Sequence, residues 1–252
     1  MKDSLEYLEK KAFFDNIITF YGRNVTVELL EDESLEIHKV HLSDSNKPDG
    51  VIKKITSLCK QRGVEVYYHN KAKLSRISKN AKQDQGVAID VITPKYLHVN
   101  RIEEYFEDGY RLLALDGIHN PQNLGMILRS AAAGNIDGVI LPKKNSAKLS
   151  PLVMKASSGA LFKIEIFYCD NLEESLEPLC GSSEIYALSS HALKSLETLE
   201  IPQKSIFILG NESEGVSSDV LSLCNNSVAI PMNRGVESLN VAVTAALIAF
   251  KL

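Results

Sequence analysis

RLLALDGIHNPQNLGMILRSAAAGNIDGVILP (111–142) is the stretch that decides the fold. Its first six residues form an apolar run ending in Asp116 and read as a strand. A turn with Pro121 follows, and a segment near 122–134 carries Met126, Ile127, Leu128 and Ala131–Ala133 in the pattern of a well-packed helix. GVILP then reads as a second strand. The same alternation continues outward. Helix SPLVMKASSG, strand KIEIFY, helix NLEESLEPLC, strands EIYALSS and SIFILG, a short helix, strand SVAIPM and a last helix from Ser238 complete the region. Alternating strands and helices imply a parallel sheet covered on both faces.

Upstream the pattern is shorter. GRNVTVELLED reads as a helix, EIHKVHLS as a strand, PDGVIKKITSLCKQRG as a helix closed by Gly63, and VEVYYH as a strand. NKAKLSRISK and QGVAIDVI add a helix and a strand. The expected organisation is therefore a leading helix over 1–20, a small α/β domain over 21–93, a polar linker over 94–109 and an α/β domain over 110–252. The last helix is apolar almost all round, so burial on most sides is expected.

Composition narrows the classes. The chain has 252 residues, 44% hydrophobic and 24% charged, as in an ordinary globular protein. Tryptophan is absent and aromatics are 7%, which argues against stacking platforms for single-stranded nucleic acid. The charged opening MKDSLEYLEKK does not resemble a secretory signal, no apolar run approaches the ~18 residues of a membrane span, and four scattered cysteines fit a reducing cytoplasm. The net charge of −4 hides an asymmetry. Residues 53–82 hold nine basic side chains against Glu65 alone. Lys53, Lys54, Lys73, Arg76, Lys79 and Lys82 of that stretch are candidate RNA contacts, and a solubilising lysine-rich face is the other reading.

Three turns carry candidate chemistry, because ligands bind outside the carboxyl ends of parallel strands. In the first, Asn123 stands at a helix start and Arg129 nearly two turns in. Asn123 also fits a helix cap, and Arg129 a surface or salt-bridged arginine. In the second, GNESEG (210–215), a phosphate-binding loop is excluded. Val216-Ser217 stands where Lys-Ser/Thr is needed, no Gly-x-Gly-x-x-Gly is present, and Glu212 and Glu214 would repel pyrophosphate. An acidic turn capping the next helix is also open. In the third, Ser238 and Asn240 begin the last helix, where Ser238 fits a simple N-cap.

Taken in order, these turns resemble the TrmH/SpoU branch of the SPOUT methyltransferase superfamily. Asn123, Gly125 and Arg129 match its Asn-x-Gly-x-x-x-Arg motif; Gly210, Glu212 and Gly215 match Gly-x-Glu-x-x-Gly. Ile230, Pro231, Met232, Ser238, Leu239, Asn240 and Val241 match Ile-Pro-Met…Ser-Leu-Asn-Val. YGRNVTVELL and QDQGVAIDV are similar to the small ribosomal-protein-like RNA-binding domain of bacterial large-subunit rRNA guanosine 2′-O-methyltransferases, with Asp84 where that family often has His.

The resemblance implies a deep trefoil knot in the C-terminal α/β domain and a homodimer whose active site draws on both subunits. It implies S-adenosyl-L-methionine as the methyl donor, held by Leu188, Ser189, Gly210, Ile230, Met232 and Leu239, and transfer to an RNA ribose 2′-hydroxyl. Asn123, Arg129, Glu212, Ser238 and Asn240 are the implied catalytic set, and no metal or membrane is implied. The family proposes the arginine as base. A guanidinium with pKa above ~12 is better suited to fixing a phosphate and stabilising a developing alkoxide. Transfer RNA as substrate, or a non-catalytic assembly factor, are the alternatives.

Overall fold

The computed structural model describes residues 17–48, 50–80, 83–92 and 96–251, which form two compact units divided between Lys95 and Tyr96. Among these residues no helix is long and apolar enough to cross a membrane.

The first unit runs β1 (Ile17–Tyr21), α1 (Arg23–Glu31), β2 (Glu36–Ser43), α2 (Gly50–Arg62), β3 (Glu65–His69), α3 (Lys71–Ser78) and β4 (Val87–Ile92). Its sheet has the order β1-β4-β2-β3, with β1 and β2 antiparallel to β4 and β3 parallel to β2. The leading helix is not what residues 17–21 form; 1–16 lie outside the described residues. Ile17, Ile18, Thr19 and Phe20 are β-branched or aromatic, and the register pairs Ile17 with Ile92 through Tyr21 with Ala88. Strand alternation puts Phe20, Ile89, Val91, Val40 and Leu42 on one face, all fully buried. Buried Leu29, Leu30, Ile55 and Cys59 of the packed pair α1 and α2 add to this apolar core. Arg62 ends α2 by donating to the carbonyls of Leu29, Leu30, Asp32 and Leu35, a cation placed on the C-terminal carbonyls of α1.

The opposite face of the sheet carries Thr19, Asp90, Lys39, His41 and His69. His41 Nε2 lies 3.1 Å from Asp90, His41 Nδ1 lies 2.9 Å from His69 Nε2, and Thr19 donates to Asp90 at 2.7 Å. With Asp90 as acceptor, His41 Nε2 carries the proton, so His69 Nε2 donates to His41 Nδ1. Burial raises the Asp90 carboxyl, but the hydrogen bonds from His41 and Thr19 outweigh it and hold its pKa below the ordinary value. Desolvation, then the neighbouring His41 and Lys73, lowers that of His69.

The second unit contains β5 (Leu97–His98), α4 (Ile102–Tyr105), β6 (Tyr110–Leu115), α5 (Pro121–Ala133), β7 (Gly138–Pro142), α6 (Pro151–Ser157) and β8 (Glu165–Cys169). It continues with α7 (Leu172–Leu176), β9 (Glu184–Leu188), β10 (Lys194–Ser195), β11 (Lys204–Leu209), α8 (Ser218–Ser222), β12 (Asn226–Ala229) and α9 (Val241–Lys251). The strands form one parallel sheet in the order β10-β12-β9-β11-β6-β7-β8-β5. Leu112, Ala114, Ile140, Ile206 and Ile208 pack in one core cluster. The alternate set, including Leu113, Leu115, Val139 and Phe207, is equally buried, so both faces are covered.

Two expectations change here. Of the stretch expected to link the domains, the described residues 96–109 belong to the second unit: Leu97 and His98 pair with β8, and Val99 and Ile102 enter the core cluster. The last helix starts at Val241, not Ser238, and is not buried all round. Val241, Ala242, Ala245, Ile248 and Ala249 are buried, whereas Val243, Leu247 and Phe250 are 47%, 43% and 64% exposed. At this i, i+4, i+7 spacing the three share one side of the helix, which a single chain leaves uncovered.

Candidate active site

Three strand ends build the site. After β6, Asn120 caps α5 by accepting from the Gln122 amide at 2.8 Å, and Pro121 takes the first helical position. Asn123 is therefore not the cap. It sits in the first turn, 5% exposed, with its amide free to reach another element. After β11, the backbone at Gly210 doubles back on Gly215. A Cβ at 210 would come within 2.1 Å of the Gly215 carbonyl carbon, so only glycine fits. Asn211 and Gly215 exchange backbone bonds of 2.9 Å, and the Asn211 side chain ties this loop to Gly117 beyond β6. After β12, Asn240 accepts from the Ala242 amide at 2.9 Å and caps α9, the role open to Ser238 from the sequence.

These turns bring together side chains far apart in the chain. Asn123 donates its amide to Glu212, and Asn240 donates to Glu212 at 3.4 Å and to the Asn123 carbonyl oxygen at 3.3 Å. The cluster borders an open cavity of about 480 Å³. Leu188, Ser189, Gly210, Ile230, Met232 and Leu239 all line that cavity, together with Glu212 and Ser238. Further wall residues that were not among the expected cofactor contacts are His191 and Thr244, together with Asn211 and Val241 of the second and third motif segments. Thr244 was legible in principle, standing one helical turn after Asn240.

Arg129 is not in the cluster. Six residues along α5 from Asn123, it lies about 9 Å further and about 120° round the helix. It is exposed, and its guanidinium donates to the Ser158 hydroxyl at 3.1 Å.

In the first unit Lys53, Lys54, Lys73, Arg76 and Lys79 are all exposed. Lys54 pairs with Glu31 at 2.5 Å, and Lys79 ends α3 in a left-handed conformation. Lys82 lies outside the described residues. Asp84 is buried and internal: it accepts from Ser78 at 2.8 Å and from the Gly86 amide at 3.0 Å.

An all-parallel sheet whose strand-end turns enclose a cavity and converge on two amides and a carboxylate defines a ligand-binding α/β enzyme domain. Residues 110–250 match the SpoU rRNA Methylase family model, and residues 20–97 match the model described as RNA 2′-O ribose methyltransferase substrate binding. The chain belongs to the SpoU rRNA methylase family. Its activity class is RNA 2′-O-methylation. The 23S rRNA (guanosine-2′-O-)-methyltransferase RlmB of Xylella fastidiosa is 30% identical over 91% of this chain and 93% of its own length. That of Neisseria meningitidis serogroup B is also 30% identical, over 90% and 91%. Among solved structures, the SpoU methyltransferase AviRb from Streptomyces viridochromogenes, in complex with AdoMet, superposes with a TM-score of 0.78 at 20% identity. The match covers 96% of this chain and 91% of that one.

Proposed function

We propose that this protein methylates the ribose 2′-hydroxyl of a guanosine in large-subunit (23S) rRNA, working as a cytoplasmic homodimer. The observation that carries the reading is the convergence of Asn123, Glu212 and Asn240 beside the cavity formed by the strand-end turns. The choice of rRNA and guanosine rests on relatives that match nearly the full length. The exposed Lys53, Lys54, Lys73 and Arg76 of α2 and α3 would meet the RNA phosphates, with the exposed Lys79 beside them.

The cavity fits S-adenosylmethionine. Leu188, Ile230, Met232 and Leu239 would offer apolar walls to a purine, Ser189 and the bare backbone of Gly210 would offer polar contacts, and Glu212 and Glu214 would give the wall a negative charge suited to a cationic ligand. When bound, it supplies an electrophilic methyl group. The chain's own residues position and stabilise. Asn123 and Asn240 fix the Glu212 carboxylate, and Ser238 stands at the cavity wall to orient the ribose. Arg129 neutralises the neighbouring phosphate and the charge that develops as the 2′-oxygen loses its proton to water.

A homodimer accounts for two otherwise separate facts. It would cover the apolar side of α9, and it would let Arg129 of one subunit serve the cavity of the other. The knot implied for this fold would thread the segment after β12, setting turn 230–241 beside turns 188–191 and 210–215.

Methyl-labelled cofactor with purified 23S rRNA, 16S rRNA or tRNA tests the reading. Label recovered as 2′-O-methylguanosine from 23S rRNA is expected. Label confined to tRNA overturns the choice of RNA, and label in a base overturns the ribose assignment. A protein that binds the cofactor but labels no RNA is not a methyltransferase for these substrates.

A further inference from the structure

Ser158 contradicts a simple conformational preference. It follows α6 with φ 49° and ψ 49°, a left-handed conformation that glycine adopts freely and serine rarely does. Gly159 comes next, also left-handed at φ 78°. A helix end of this kind is most easily closed by glycine at both positions, yet the first keeps a hydroxyl. That hydroxyl accepts from the Arg129 guanidinium at 3.1 Å.

The geometry around it is built close. Gly125 packs on α6 so tightly that a Cβ there would stand 2.5 Å from the Ala156 Cβ and 2.6 Å from the Val153 carbonyl oxygen. Arg129 is four residues later, on the same side of α5. The glycine therefore lets the two helices touch, and one turn on, the arginine meets the end of α6. There the guanidinium also faces the C-terminal end of α6, where the partial charge is negative. Asn-x-Gly-x-x-x-Arg thus has a mechanical reading: the glycine sets the distance and the arginine uses it.

We propose that Ser158 is a positioning residue for Arg129, holding the guanidinium extended along the end of α6 so that it meets the RNA in one orientation. This rests on the reading of Arg129 as part of the reaction. Two substitutions separate hydroxyl from backbone. Ser158→Gly keeps the left-handed turn and removes the acceptor; Ser158→Asn keeps an acceptor in a residue that tolerates this conformation.

In the full-length protein, Ser158→Gly should lower kcat about tenfold. The KM for S-adenosylmethionine should be unchanged and the thermal midpoint not lowered. Ser158→Asn should restore most of the rate. On an Arg129→Lys background, whose point charge does not need the same seat, Ser158→Gly should cost less than about twofold. An equal loss on both backgrounds overturns the proposal, as does a wild-type rate in Ser158→Gly when Arg129→Ala is inactive. If Arg129→Ala itself retains activity, the role of Arg129 fails first and the positioning role falls with it.

Discussion

Each unit gathers a polar network from separate elements, four strands in the first and three turns in the second, and the two networks end differently. In the first, Thr19, Asp90, His41 and His69 bond to one another along a sheet face, with Asp90 and His41 7% and 5% exposed. In the second, Asn123 is buried but its partners Glu212 and Asn240 are exposed beside a cavity. A network that satisfies itself in the interior fixes a fold. One that stops at a cavity with a carboxylate in the open has capacity left for a ligand. Residue types alone do not separate these cases, since a His-His-Asp chain resembles catalytic machinery more than two asparagines and a glutamate do.

The largest effect is expected at Arg129. Arg129→Ala should reduce methyl transfer about a hundred- to a thousandfold. Cofactor affinity and melting temperature should stay as they are, measured by calorimetry on the same preparation. Asp90→Ala should do the reverse, costing about 2 kcal/mol of stability by leaving the buried His41 Nε2–H without its acceptor, with the rate per folded molecule retained. If it instead slowed transfer without lowering stability, the sheet-face network would belong to function and the contrast would collapse. Glu212→Gln keeps the shape but turns an acceptor toward two amide donors into a mixed group. A rate loss of about tenfold with little change in melting is expected, and melting as low as that of Asp90→Ala would mark the cluster as structural.

The smallest effect is on pH. His69 has a lowered pKa in the folded chain, so the fold favours its neutral form. That stability is fully present above the ordinary histidine value of about 6.5 and is lost as pH falls below it toward the folded value. Asp90 contributes in the same sense only below the ordinary carboxylate range. Melting temperature should therefore slip between pH 7 and pH 5, and His69→Gln should flatten that slope.

Much of this was legible in the chain itself. The helices and strands from Arg23 to Ile92 and the parallel alternation after Tyr110 followed from apolar spacing, because each element buries one face or both. Ile17–Tyr21 misled because its apolar residues continue a helical spacing from upstream, while the pairing with β4 that makes it a strand comes from residues seventy positions away. Residues 96–109 misled because their apolar side chains are sparse among polar neighbours, yet Val99 and Ile102 enter the core and Leu97 and Phe106 pack against it. The family resemblance named six of the cavity residues but not the partners of the motif side chains. That Asn240, not Ser238, caps α9, and that Arg129 turns to Ser158, depend on local backbone geometry which spacing does not encode.

Asn240 has two tasks at once: its carbonyl oxygen holds the first turn of α9 through the Ala242 amide, while its amide holds Glu212 and Asn123. Fraying of that helix end and loosening of the site are then one event. Breathing at the helix start would interrupt catalysis well before the molecule unfolds. The Ala242 amide should exchange with solvent deuterium more slowly whenever the cavity is filled, giving a single backbone hydrogen that reports occupancy.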